Sequence, residues 1–252
     1  MRIVNGLRHI FNRIVRQVNY FRNGLRFGLV FVRVRWFRIP QKMRIAGKSV
    51  PLCLPPEHGV FVDFLVCFLR NEYGLQERLS SVKTILDIGA NLGFFSMAAR
   101  SFYPHATIHS YEPNPRVLPF LNANLRELEI SVFPEAVGGT SGRVSMHDSG
   151  DSNLARSVVD SDGSIPQVSL ATAIERLGGT VDLLKLDCEG AEWEMFGIAE
   201  PWRHIRNIRM EYHLFHDQTA QDVERNLNRL GFEVIHRQPD LRFGSVWASR
   251  TK

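Results

Sequence analysis

Thr84-Ile-Leu-Asp87-Ile-Gly89-Ala-Asn91-Leu-Gly93-Phe-Phe-Ser96 is the stretch on which the reading of this chain turns. Residues 84–88 are a β-branched, apolar run of strand length that ends in glycine, and residues 92–102 have the length and spacing of a helix. Gly89 and Gly93 permit a tight turn and close backbone approach, while the helix start offers free N–H groups. The spacing is D-x-G-x-x-x-G rather than G-x-G-x-x-G, so a pyrophosphate cradle is not indicated. Asp87, an acid placed before the turn, suits an amine-bearing, positively charged ligand better than a diphosphate.

Working outward, strands are expected at 106–111, 130–133, 181–186 and 205–212, alternating with helices at 115–128, 170–177, 191–198 and 218–230. Pro115 opens the first of these helices without needing its N–H, Ser169 caps the second, and Gly231 ends the last. Such alternation with short turns calls for an α/β fold, a Rossmann-like, mostly parallel sheet with helices on both faces. The last two strands, 232–236 and 243–248, are joined by a short Pro-Asp turn and must form an antiparallel hairpin. The polar stretch 138–164, rich in Gly, Ser and Asp, is too long for a simple connector and is expected to hold short strands and a mobile, functional loop. Upstream, residues 43–54 suggest a short hairpin or irregular ribbon, and 60–69 a buried helix.

Composition narrows the class. With 252 residues, 44% hydrophobic and 23% charged, the chain is neither disordered nor collagen-like nor a coiled coil. Cys53, Cys67 and Cys188 are sparse and lack C-x-x-C spacing, which argues against a disulfide framework or zinc knuckle and fits a reducing, cytoplasmic setting. Residues 1–56 hold ten Arg and two Lys but no Asp or Glu, leaving 19 basic against 26 acidic residues to the remainder. A basic N-terminal extension, 1–56, is therefore expected on a mildly acidic domain, 57–252. Its longest early apolar run, 27–32, is closed by Arg33, whereas a membrane span needs about 20 residues.

Leu7, Ile10, Phe11, Ile14, Val15 and Val18 recur at helical spacing with Arg8, Arg13 and Arg16 between them. Three readings of this arm stand side by side. It is a helix lying peripherally on an anionic membrane through residues 1–45, an extension packed on the domain with a solvated basic face, or an Arg-rich transit peptide. The absence of Ser from residues 1–48 counts against the last. Nucleic acid is an unfavoured partner, because Phe11, Phe21, Phe27, Phe31, Trp36 and Phe37 suit burial or an interface at least as well as base stacking.

Three further clusters carry chemistry. Tyr111-Glu112-Pro113-Asn114-Pro115 ends the second strand, where a carboxylate accepts two hydrogen bonds from the vicinal diol of a ribose; Glu112 and Asn114 are expected at a cofactor. In residues 181–192, Lys185 and Asp187 share one face at the carboxyl end of the fourth strand, followed by Glu189 and Glu192. They are either a functional group or a salt-bridged set in which Lys185 neutralises an acid. Arg209-Met-Glu211-Tyr212-His213-Leu-Phe-His216 ends the fifth strand, with histidines that serve as a base, bind a metal or are structural; no metal ligands are assigned.

Taken in order, I-L-D-I-G-A-N-L-G-F-F-S, Y-E-P-N-P, V-D-L-L-K-L-D-C-E-G-A-E and M-E-Y-H resemble the FkbM-type methyltransferases over residues 60–250. The resemblance implies the class I Rossmann-like methyltransferase sheet, S-adenosyl-L-methionine as cofactor, and methyl transfer to a hydroxyl on a sugar, polyketide or similar metabolite. It implies that Gly89, Asn91 and Gly93 line the methionine part, that Glu112 holds the ribose, and that Glu135 holds the adenine amino group. Asp187 would stand beside the sulfonium and acceptor, with Asp187 or His213 as general base and Lys185 and Glu189 organising the site. Asn91 replaces the middle glycine of the broader D-x-G-x-G-x-G pattern, as in FkbM-type proteins. The basic arm lies outside the resemblance.

No N-P-P-[YF] segment is present, which weakens methylation of a nucleic-acid base. The acceptor is expected to be a small molecule, a saccharide or a lipid-linked hydroxyl. A nucleotide-dependent dehydrogenase and a non-catalytic membrane or nucleic-acid adaptor are the rival readings.

Overall fold

The computed structural model describes residues 2–31, 37–77, 79–147, 155–215, 217–239 and 242–251, with backbone alone for 2–13 and 239. Helix α1 (Arg2–Arg26) leads to a hairpin of β1 (Lys42–Ile45) and β2 (Lys48–Pro51). Next comes α2 (Gly59–Phe64), which runs directly into a π-helical turn (Leu65–Arg70). The alternating part follows: β3 (Thr84–Ile88), α3 (Phe94–Phe102), β4 (Thr107–Tyr111), α4 (Leu118–Leu125) and β5 (Ser131–Phe133). Four short strands come after it, β6 (Ala136–Gly138), β7 (Gly142–His147), β8 (Arg156–Val159) and β9 (Ile165–Ser169). The chain ends with α5 (Leu170–Arg176), β10 (Leu183–Leu186), α6 (Glu192–Phe196), β11 (Asn207–His213), α7 (Ala220–Arg229), β12 (Phe232–Pro239) and β13 (Phe243–Arg250).

The main sheet has the order β12-β13-β11-β10-β3-β4-β5. Neighbours from β11 through β5 are parallel, while β13 is antiparallel to both β11 and β12 and lies between them. The expected terminal hairpin therefore inserts its second strand into the sheet. From β3 the chain moves one way to β4 and β5, and from β10 the other way to β11. The crevice at the carboxyl ends of β3 and β10 is thus the point where strand order reverses, the place where open α/β sheets bind ligands.

Strand alternation divides the core. Ile85 and Leu183 face one buried cluster with Phe64, Phe68, Phe94, Phe95 and Met97, whereas Leu86, Ile88, Leu184 and Leu186 face another with Trp202, Ile208, Met210 and Leu227. Phe27, Leu29, Met43, Ile45 and Val50 belong to the first cluster, so the segment after α1 packs onto the sheet's helical cover. Phe64 joins these parts, with its ring 4.8 Å from Phe68, 5.6 Å from Phe94 and 5.6 Å from Phe37.

The short strands expected within 138–164 are present as β7 and β8, which join β6 and β9 in a second sheet, with β6 parallel to β9 and β7 antiparallel to β8 and β9; the loop at 148–154 lies outside the described residues. One expectation changes in detail. The helix at 60–69 is regular only to Phe64, then widens into the π-helical turn that ends at left-handed Asn71. π-helical turns of this kind concentrate at functional sites. Among the described residues no helix is long and apolar enough to cross a membrane. Trp36 lies outside them, as does the Asp240 of the expected turn.

Truncating Phe64 removes the ring on which the arm, the π-helical wall and α3 converge. Phe64→Ala is expected to lower the unfolding free energy by about 3–5 kcal/mol in urea denaturation; a loss below about 1 kcal/mol would show that the arm does not share this core.

Candidate active site

Gly89 is required by contact between strand tips. Its φ is +76°, and a Cβ placed there would sit 1.7 Å from the Asp187 carbonyl oxygen. The N–H groups of Gly89 and Ala90 both donate to the Tyr111 carbonyl at 3.0 Å, which ties the turn to β4. Asn91, also left-handed, donates its backbone N–H to Glu112 Oε2 at 2.7 Å and its side-chain Nδ2 to Asp63 Oδ2 at 3.1 Å. The turn is thereby fastened to β4 on one side and α2 on the other.

Beside it opens a cavity of about 330 Å³ whose wall includes Asp63, Cys67, Gly89, Asn91, Glu112, Asn114, Glu135, Asp187, Glu189 and Glu211. Most of the residues expected from sequence are therefore gathered in one place. Glu112 is buried. Its Oε1 accepts the Asn114 N–H at 2.9 Å while Oε2 is held by Asn91. Burial raises its affinity for a proton, and these two N–H bonds oppose that rise. Each carboxylate oxygen has a further lone pair, so Glu112 retains acceptor capacity. Among the described residues the buried Asn114 side-chain Nδ2 has no hydrogen-bond partner, an orphan donor on the cavity wall. Glu135 is ion-paired through Oε2 with Arg176.

Three expected residues, Asp87, Gly93 and His213, do not reach the wall, whereas Lys185 does. Asp87 and Lys185 are register partners on β3 and β10, on the face covered by α3. Fully buried Asp87 accepts a 2.6 Å bond from Ser96 Oγ and lies 3.7 Å from Lys185 Nζ. It supports the turn from beneath and does not line the cavity. Gly93, φ +82°, begins α3, and a Cβ there would be 2.9 Å from Leu121 and Leu125. Its small size serves the packing of α3 on α4.

Lys185 is buried in the middle of the site. Its Nζ donates to the Gly89 carbonyl oxygen and lies 3.3 Å from Asp187 Oδ2. Burial works against its charge, but Asp187 and then Asp87 outweigh burial and hold it protonated. Asp187 also accepts a 3.1 Å bond from the Tyr73 hydroxyl and is partly exposed to the cavity. Glu189, pushed up to about 8 by burial and then by Asp187, and Glu211, pushed up to about 9 by burial and then by Asp187 and Glu189, complete a carboxylate-rich end.

His213 stands behind this end rather than on the cavity wall. Its Nε2 is 3.3 Å from Glu189 and 3.7 Å from Glu211. Buried Glu192 accepts the N–H of Gly190 and of His213, both at 2.8 Å, and so clamps the 188–190 loop to β11. Asp187, Glu189 and His213 offer one ligand atom each within 4.8 Å of one another, donor types suited to a divalent cation. His216 lies outside the described residues.

Sequence reasoning did not single out Asp63 or Tyr73. A signal existed for Asp63, the one acid in the otherwise apolar run 60–69. Tyr73 follows a left-handed residue in an irregular segment and had no readable signal.

The Methyltransferase FkbM domain model matches residues 87–234. The 31-O-demethyl-FK506 methyltransferase FkbM of Streptomyces tacrolimicus is 27% identical over 251 residues, spanning 84% of this chain and 94% of its own. Methyltransferase sdnD of Sordaria araneosa is 27% identical over 184 residues, spanning 53% of this chain and 67% of its own. A solved precorrin-6y C5,15-methyltransferase of Geobacter metallireducens aligns at 14% identity and TM-score 0.47, covering 74% of this chain and 91% of that one.

The crowded carboxylates give the site a pH signature. A folded-state value raised from 4.5 to about 9 means that Glu211 stabilises the fold below about pH 4.5 and loses that contribution as pH rises through 9. Glu211→Gln is therefore expected to gain stability relative to the parent protein between about pH 5 and pH 9, read by urea denaturation across that range. An effect independent of pH would contradict the environment described.

Proposed function

This chain belongs to the FkbM methyltransferase family, its cofactor is S-adenosylmethionine, and from that premise we propose that it methylates a hydroxyl oxygen of a saccharide, glycolipid or small metabolite with Asp187 as general base. The observation that carries the reading is the position of Asp187. Its carboxylate meets the cavity at the tip of β10, is oriented by the Tyr73 hydroxyl and Lys185, and lies beside the Gly89 bend. The name of the Streptomyces relative specifies a 31-O-demethyl substrate, which agrees with an oxygen acceptor.

The residues present fit the cofactor. Glu112 has acceptor capacity left for two vicinal hydroxyls, Asn114 Nδ2 is a buried donor in need of an acceptor, and the Gly89–Asn91 bend lies on the cavity wall. The excess of carboxylates suits a ligand that carries a sulfonium and an ammonium. In this reading Gly89 and Asn91 border the methionine part and Glu112 the ribose. Glu135, whose Oε1 is not taken by Arg176, meets the adenine amino group. Residues 57–252 are the catalytic domain and 1–56 its extension.

The bound cofactor supplies a methyl group already activated by positive sulfur. What remains for the chain is to place the acceptor oxygen in line and take its proton. Placement alone can be worth about 7–11 kcal/mol in well-oriented cases, and a base contributes about 10²–10⁴-fold. Asp187 receives the hydroxyl proton. Lys185 holds that carboxylate and the Gly89 carbonyl in fixed relation, and Glu189 closes the acceptor side of the cavity.

Labelled-methyl transfer from S-adenosylmethionine to a cell extract, with mass analysis of the product, identifies the acceptor. With that acceptor, Asp187→Asn is expected to lower turnover about 10²–10⁴-fold while S-adenosylhomocysteine affinity, read by calorimetry, stays within about tenfold. Unchanged turnover would remove Asp187 from its role. A labelled nitrogen or carbon in the product would overturn the hydroxyl acceptor.

A further inference from the structure

Helix α1 is 25 residues long, about 37 Å at 1.5 Å per residue, and contains six Arg and no acid. Its carboxyl-terminal half is fixed to the domain along one side. Asn23 and Gly24 are buried, the Asn23 side chain donates to the Leu69 carbonyl at 2.7 Å, and a Cβ on Gly24 would lie 3.2 Å from the Leu69 side chain. At the helix end, the Arg26 guanidinium donates to the Ser101 carbonyl and sits 3.9 Å over the Phe102 ring.

Ile14, Val18, Phe21 and Leu25, spaced i, i+4, i+7 and i+11, line up on another side of this helix, and all four are exposed (57%, 58%, 40% and 49%). Val15 beside them is also exposed, as are Arg16, Arg22 and Arg26. The sequence carries the same spacing upstream at Leu7 and Phe11. The opposite side is packed on the domain, and although the Phe21 ring meets Phe31 edge-on at 6.2 Å, Ile14, Val18 and Leu25 remain exposed.

We infer that α1 is an interfacial helix that seats the domain on an anionic membrane, its apolar stripe among the lipid headgroups and its arginines at the phosphates. Charge selects this partner. The first 56 residues have twelve basic side chains and no acidic one, whereas the rest of the chain is mildly acidic, so only this arm is complementary to an anionic surface. Aliphatic side chains dominate the stripe and cannot stack on bases, which favours lipid over RNA.

The docking also bears on the site, a link that rests on the methyl-transfer reading. Leu69, against which α1 packs, belongs to the π-helical turn whose Val66, Cys67 and Arg70 line the cavity, and half-exposed Val62 of α2 stands at the same wall. The element that binds the membrane helix on its outside therefore forms cavity wall on its inside. That arrangement suits an acceptor hydroxyl carried on a lipid.

Flotation of the full chain with vesicles of phosphatidylcholine, with and without phosphatidylglycerol, tests the inference. The protein is expected to float with phosphatidylglycerol vesicles, to be released by high salt, and to ignore phosphatidylcholine alone. The double variants Val18→Glu/Phe21→Glu and Arg16→Glu/Arg22→Glu should each cut the bound fraction about tenfold or more, with S-adenosylhomocysteine affinity unchanged as proof of folding. Folded protein that stays out of the vesicle layer overturns the docking. So do variants that float like the parent, a dimer that covers the stripe in light scattering, or preference for RNA over vesicles. Flotation by protein that takes up no S-adenosylhomocysteine would support the docking and overturn the methyl-transfer reading.

Discussion

The site depends on one buried ammonium. Lys185 Nζ lies between the carbonyl of Gly89, Asp187 and Asp87, and so ties the tips of β3 and β10 together where strand order reverses. Removing water from a lone ammonium is costly, and this one is tolerated because two carboxylates and a carbonyl surround it. The Gly89 bend is the steric counterpart of that tie, since the Asp187 carbonyl occupies the space any side chain would need. Breaking either contact would leave a buried charge or a clash beside the cavity.

From that tie the rest of the cavity follows. With Lys185 already committed to Asp87 and Asp187, Glu189 and Glu211 share a single imidazole, and burial keeps both reluctant to ionise. Glu112 is different. It meets two backbone N–H groups and lies on the cavity wall. One buried carboxylate thus keeps capacity for further hydrogen bonds, while Glu189 and Glu211 form a carboxyl-rich end held reluctant to ionise.

Much of this was legible in the sequence, and what was not has a physical cause. Run length and turn residues located the strand–helix units of the parallel sheet, and the short connection before residue 243 required the hairpin. Glu112 and Asp187 were readable because each follows directly on a strand tip. Asp87 and Gly93 share the same motif, yet they serve the interior: Asp87 faces α3 and Lys185, and Gly93 faces α4. Spacing along one strand cannot tell that from cavity exposure, because the answer depends on the register of β10 against β3. The same limit hid the position of His213, which is set by the carboxylates across from it, and the contribution of Tyr73, which arrives from an irregular segment more than a hundred residues earlier in the chain.

The most direct test is calorimetric titration of the folded full chain with S-adenosylhomocysteine, and in parallel with NAD. The account predicts saturable uptake of one S-adenosylhomocysteine per chain and none of NAD. Absence of S-adenosylhomocysteine uptake by protein that unfolds cooperatively, or equal uptake of NAD, would contradict it.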